Sequence, residues 1–142
     1  MTVRAILDAK GVQVVTIDAD ATVASVVTLL GERRSGAVLV MSGDRMDGII
    51  SERDIVRALA ERGTKMMDEQ VRALMTSRVM TCRKGDTVAS VMEKMTEGKF
   101  RHLPVIEEGR VVGIVSIGDV VKHRLSEFEK EQEALRDYIK TA

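Results

Sequence analysis

The sequence predicts an α+β protein of two tandem units, residues 1–70 and 71–142, each a small three-stranded sheet with two helices, ending in a long C-terminal helix. Three observations carry this expectation. Shifting the chain by 65 residues lays 14–57 on 79–122 without a gap, with roughly a third of the paired positions identical. The stretch Gly48-Ile49-Ile50-Ser51-Glu52-Arg53-Asp54 returns as Gly113-Ile114-Val115-Ser116-Ile117-Gly118-Asp119. Beyond Gly118 the chain has no glycine or proline and is rich in strong helix formers.

The elements follow in order. Thr2 opens a short amphipathic lead-in with Val3, Ile6 and Leu7 apolar, echoed before the second half by Val71, Leu74 and Met75. The echo is offset by 68 residues rather than 65, so 8–13 holds the extra residues and Lys10-Gly11 marks a loop. A β-branched strand over 14–17 and a turn lead to Thr22, which caps a helix with Val23, Val26, Val27 and Leu30 at helical spacing. The apolar run 36–41, the turn Ser42-Gly43-Asp44 and the run 46–50 read as a hairpin. A closing helix starts near Ser51, carries Ile55, Val56 and Leu59, and stops at Gly63. The second half repeats the plan with a strand at 79–82, a helix from Thr87 and strands around 102–106 and 111–115. Its closing helix instead continues. There Leu125, Phe128, Gln132, Leu135 and Ile139 alternate by three and four, which suits a seam with a partner or packing on the chain's own first half.

Composition narrows the function. With 22 basic and 22 acidic residues interspersed, the chain has no global attraction for nucleic acid or a membrane surface. The scarce aromatics, Phe100, Phe128 and Tyr138, leave almost nothing for a base-stacking platform, so single-stranded nucleic-acid binding is the weaker alternative. No apolar run approaches the roughly 18 residues of a membrane span and no secretory signal is visible, so the cytoplasm is the expected location. Cys82, the sole cysteine, reads as a packed strand thiol. Two histidines, no metal-spaced cluster and no Gly-rich phosphate loop favour a sensor over an enzyme, with no metal or catalytic cofactor.

The repeated Ser-x-x-Asp has two chemistries. As a helix cap, Ser51 and Ser116 satisfy orphan backbone donors while Asp54 and Asp119 complement the helix dipole. As a ligand site, a carboxylate that accepts from two vicinal hydroxyls, beside a serine hydroxyl, suits a ribose diol. Capping accounts for one copy in isolation. It does not account for a whole duplicated half.

A tandem repeat of this length, with Gly-hydrophobic-x-Ser-x-x-Asp closing each half and Phe100-Arg101-His102-Leu103-Pro104-Val105 in the second, resembles the paired cystathionine-β-synthase (CBS) domains. The resemblance covers nearly the whole chain and implies two pseudo-two-fold-related domains with two adenosine-nucleotide crevices between the halves. In the second crevice it places Thr81, His102, Leu103 and Pro104 at adenine and Ser116 and Asp119 at ribose. Lys99, Arg101 and His102 are the candidate phosphate cations, with Pro104 holding the preceding residue extended. The first crevice keeps Thr16, Ser51 and Asp54 but has the uncharged Gly36, Ala37 and Val38, leaving Arg53 as its candidate cation. The implied ligand is AMP, ATP or NAD/NADH, and the implied assembly is a homodimer forming a flat four-module disc that signals to an unidentified effector protein. The competing reading is a structural dimerisation module without ligand.

Overall fold

The computed structural model describes residues 1–141. In chain order the elements are α1 (Val3–Lys10), β1 (Thr16–Asp18), α2 (Val23–Arg33), β2 (Ala37–Ser42), β3 (Arg45–Ser51) and α3 (Glu52–Arg62). Two 3-10 segments, Gly63–Asp68 and Val71–Ala73, follow, then α4 (Val88–Gly98), β4 (His102–Glu107), β5 (Arg110–Ser116) and α5 (Ile117–Thr141). The duplication is visible in the local chemistry. Thr22 Oγ1 accepts from Ser25 N at 3.2 Å and Thr87 Oγ1 accepts from Ser90 N at 3.0 Å, so α2 and α4 start on equivalent caps. Both end on a left-handed residue, Arg34 with φ 50° and Lys99 with φ 59°, 65 positions apart. Among the described residues no helix is long and apolar enough to cross a membrane.

The two sheets are not equal. β1 pairs with β2 in parallel over three residues, Thr16 with Leu39 through Asp18 with Met41, and β2 pairs with β3 antiparallel. In the second half the expected strand over 79–82 shrinks to one parallel bridge, Cys82 with Val105, beside the antiparallel pair β4 and β5. Proline explains the loss. Leu39 N donates to Val15 O at 2.9 Å in the first sheet, and its counterpart Pro104 has no N–H to give. Only the two bonds flanking Cys82 remain, Cys82 N to Pro104 O at 3.0 Å and Ile106 N to Cys82 O at 2.9 Å. The three-stranded sheet expected for both halves therefore holds for the first, and the second has two strands.

The spatial units do not follow the sequence boundary at 70/71. One unit comprises Gln13–Met80, the other Met1–Val12 with Thr81–Ala142. Each half has given up its lead-in. Val71 N donates to Ala21 O at 2.8 Å, and Val3 N donates at 2.9 Å to Asp86 O, the acceptor 65 residues beyond Ala21. Val23 N donates to Glu69 O and Val88 N to Met1 O, while Thr22 bridges Gln70 and Thr87 bridges Thr2. Thus α1 packs with the second repeat and 71–80 with the first. These contacts follow the offset of 68 between the lead-ins.

Glycine makes room for each lead-in. A Cβ built on Gly48 would lie 2.6 Å from Thr76 O and 2.9 Å from Met75 Sδ; one on Gly113 would lie 2.7 Å from Leu7 Cδ2. Ile49 N and O both bond Thr76, so the backbone at Gly48 is held against a neighbouring backbone. Gly48→Ala should destabilise the chain by about 1–3 kcal/mol in chemical denaturation, as overpacking does. Gly113→Ala meets only the movable end of a leucine side chain and should cost less. Equal losses would mean that the obstructing carbonyl can move aside.

The cores are aliphatic. Val3, Ile6, Leu7, Cys82, Val88, Val91, Met95, Leu103, Val105, Val115 and Val120 form one cluster, and Ala19, Val26, Leu30, Val38, Val40, Ile50 and Val71 another. Cys82 is a packed residue, as its sequence context suggests. Burial, reinforced by Asp86 and opposed by Lys94, pushes its thiol up to about 12, so it carries no thiolate at neutral pH.

Candidate functional site

Each hairpin ends in the serine that starts its closing helix. In the first unit Ser51 N donates to Asp54 Oδ2 at 2.8 Å, Ser51 Oγ donates to the same oxygen at 3.0 Å, and Asp54 N donates to Ser51 Oγ at 3.4 Å. In the second, Ser116 N donates to Asp119 Oδ2 at 2.9 Å and Asp119 N to Ser116 Oγ at 3.2 Å. Both are reciprocal capping boxes, which orient the carboxylates as well as starting the helices. All four side chains are half-buried. They lie where the sheet hands over to the helix.

The preceding strand is tied to the same junction. Ile117 N donates to Arg101 O at 2.8 Å, and its counterpart Glu52 N donates to Gly36 O at 3.0 Å. In register, His102 lies opposite Ser116 and Ala37 opposite Ser51. The backbone of Arg101 and His102 is thereby brought beside the Ser116–Ile117 junction, with Arg101 exposed and His102 half-buried. Thr81 sits next to the Cys82–Pro104 bond at the same strand. Lys99 forms the left-handed cap of α4, two residues upstream of Arg101.

Some candidate residues have only their backbone to offer a ligand. Leu103 and Val38 are fully buried in their cores, Ala37 is 3% exposed and Pro104 is buried, so these side chains are packed into the fold. Thr16 is exposed at the start of β1, and Arg53 is exposed in the first turn of α3.

Lys10 is a member of the second site that sequence reasoning placed in a loop. It is the last residue of α1, and its Nζ donates to Asp119 Oδ2 at 2.7 Å and to Ile114 O at 2.9 Å. Burial raises the Asp119 carboxyl, but the hydrogen bonds from Lys10 and from the Ser116 backbone, with the Lys10 charge, outweigh it and hold the group below its ordinary value. The signal was present in the lead-in echo, where Arg78 answers Lys10 at the same offset of 68. It was readable only with the lead-ins assigned to the opposite repeats.

The arrangement offers, in each unit, an oriented carboxylate next to a hydroxyl and exposed strand backbone. The second unit adds Lys10 on that carboxylate and the basic pair Arg101-His102 on the strand opposite Ser116, whereas the equivalents of Arg101 and His102 in the first are Gly36 and Ala37. Among the described residues no group of three His, Cys, Asp or Glu side chains is placed to hold a metal ion.

Comparison with known proteins agrees with this fold. The CBS-domain containing protein ATU1752 from Agrobacterium tumefaciens is 43% identical with a TM-score of 0.85, over 87% of this chain and 92% of its own. The CBS domain protein PAE2072 from Pyrobaculum aerophilum, solved complexed with AMP, is 29% identical with a TM-score of 0.74, over 84% of this chain and 89% of its own. The Arabidopsis thaliana CBS domain-containing protein CBSX3, mitochondrial, is 36% identical over 94 residues, 65% of this chain and 46% of that protein. CBSCBSPB2 of the same plant is 30% identical over 88 residues, 16% of its length, so the match spans less than half of either curated relative. The CBS domain family model matches residues 5–61 and 71–126. With one matched repeat in each half, together most of its length, the chain belongs to the CBS domain family.

Proposed function

We propose that the chain is a regulatory module that binds an adenosine nucleotide and transmits its occupancy to a partner protein through a ligand-dependent conformational change. The observation that carries this is the pair of hairpin-to-helix junctions, each with an oriented Ser–Asp couple, in a chain 29% identical to a CBS protein solved complexed with AMP. The ligand is AMP, ATP or NAD/NADH, since a carboxylate and strand backbone recognise what all of them share. Its role is non-catalytic. Thermal shifts with AMP, ATP, NAD, NADH and adenosine test the reading, together with mass spectrometry of ligand released from the denatured protein. A chain that shifts with none of these and carries no adenosine compound is not this sensor.

The closed capping boxes favour one rival. With Asp54 and Asp119 already satisfied by their own caps, a ligand-free dimerisation module would look the same locally, and the ligand panel separates the two. Homodimerisation belongs to both readings. It is supported by the exposed apolar faces of α3, with Val56 and Leu59 at 65% and 46%, and of α5.

Lys10 should tune ligand choice. Its ammonium competes with a ribose diol for Asp119, and a phosphorylated ligand offers it a replacement partner that adenosine lacks. In Lys10→Met, adenosine should bind more tightly relative to AMP by about two- to fivefold, the scale of a partly exposed ion pair. Calorimetry with both ligands reads the ratio; an unchanged ratio would show that Lys10 only anchors α1.

A further inference from the structure

The distal half of α5 has no place in its own unit. Leu125, Phe128, Leu135 and Ile139 are 57%, 47%, 59% and 64% exposed, and every residue from 128 to 141 is exposed. An isolated helical stretch of that length is marginal in water, and beyond the stack of Arg124 on the Phe128 ring at 4.5 Å nothing apolar covers it. The apolar positions form a heptad seam with Leu125, Gln132 and Ile139 at a and Val121, Phe128 and Leu135 at d. The sign of the flanking charges is informative. Arg124 and Glu131 occupy g positions, and Glu129 and Arg136 occupy e positions.

Two copies of this helix are complementary to each other. Side by side in parallel, Arg124 meets Glu129 of the second copy and Glu131 meets Arg136. Run antiparallel with Phe128 opposite Gln132, Glu131 meets Glu131 and Glu129 meets Glu129 of the second copy across the two-fold axis. The parallel pairing joins opposite charges at all four of these positions, and the antiparallel one does not. Arg124 also borders a groove of about 420 Å³ between α4 and α5, lined by Ala89, Met92, Glu93, Thr96 and Glu97.

We infer that the distal half of α5 is a homotypic coiled-coil segment whose occupant is α5 of a second copy of this chain. Gln132 at an a position supplies a polar layer that sets register at some cost in affinity. This deepens the homodimer reading by assigning a second, C-terminal contact to it, independent of any ligand.

The test uses the full chain at micromolar concentration. Under mild oxidation, Leu135→Cys alone reports a parallel pair, and an equimolar mixture of Leu125→Cys and Leu135→Cys chains reports an antiparallel one; buried Cys82 does not compete. One of these should give a disulfide-linked dimer. Leu135→Glu should raise the dimer dissociation constant at least tenfold in sedimentation, with the melting temperature at low concentration unchanged, since the site is exposed in the single chain. A dimer by mass in which neither crosslink forms and Leu135→Glu has no effect overturns the seam and leaves the homodimer reading standing, α5 then facing a different protein. A monomer at every concentration overturns both.

Discussion

Asp119→Ala should bind AMP about tenfold to a hundredfold more weakly than the parent, because losing one buried partner of a hydrogen-bonded hydroxyl costs about 1–3 kcal/mol. Ligand-induced stabilisation should vanish at modest AMP concentration for the same reason. Asp54→Ala should cost less AMP affinity, since the strand segment beside Asp119 carries Arg101 and His102 and its counterpart beside Asp54 carries Gly36 and Ala37. The aspartates also cap their helices, and Asp119 holds Lys10, so the ligand-free variants are to be compared first. Loss of a cap alone costs about 0.5–2 kcal/mol of stability and leaves affinity intact in a chain that remains folded. Calorimetry at a temperature where each variant is folded separates the effects. If Asp119→Ala binds AMP like the parent, or if Asp54→Ala is the only variant that fails, the principal nucleotide site is not in the second unit.

Ile6→Ala should remove about 2–5 kcal/mol, the usual loss for a buried isoleucine, and the damage should fall on the second repeat although the residue precedes the first. Ile6 is fully buried among Val88, Val91, Leu103 and Val115, with α1 the only contributor from the N-terminal end of the chain. Hydrogen exchange reads the location. Protection should drop for amides of α4, β4 and β5 while those of α2, β2 and β3 keep theirs. The converse experiment, Val71→Ala, should loosen the first repeat, where Val71 packs with Val26, Val38 and Ile50. Loss of protection in the adjacent repeat for either variant would refute the exchange of lead-ins.

How much of this was legible without coordinates depends on the range of the interaction. The helix caps Thr22, Ser51 and Thr87, the two hairpins and the Gly63 stop are set within a few residues, and the duplication made each of them readable twice. The Ser–Asp junctions were legible for the same reason. Even the shortened second sheet was foreshadowed by Pro104 in place of Leu39, although only the pairing showed that the lost bond was the one from Leu39 N to Val15 O.

By itself the sequence determined a CBS repeat twice over, the strand and helix order and the basic character of 99–102, because local propensity, spacing and a constant shift of 65 are all properties of one dimension. Only the tertiary structure decided that α1 serves the second repeat and 71–80 the first, that Lys10 reaches Asp119 across 109 residues, and that the apolar stripe of α5 stays exposed. The reason is chain closure. Hydrophobic burial is non-directional, so Val3, Ile6 and Leu7 announce a buried face without naming its partner, and the equivalent Gly48 and Gly113 leave room for a lead-in against either strand.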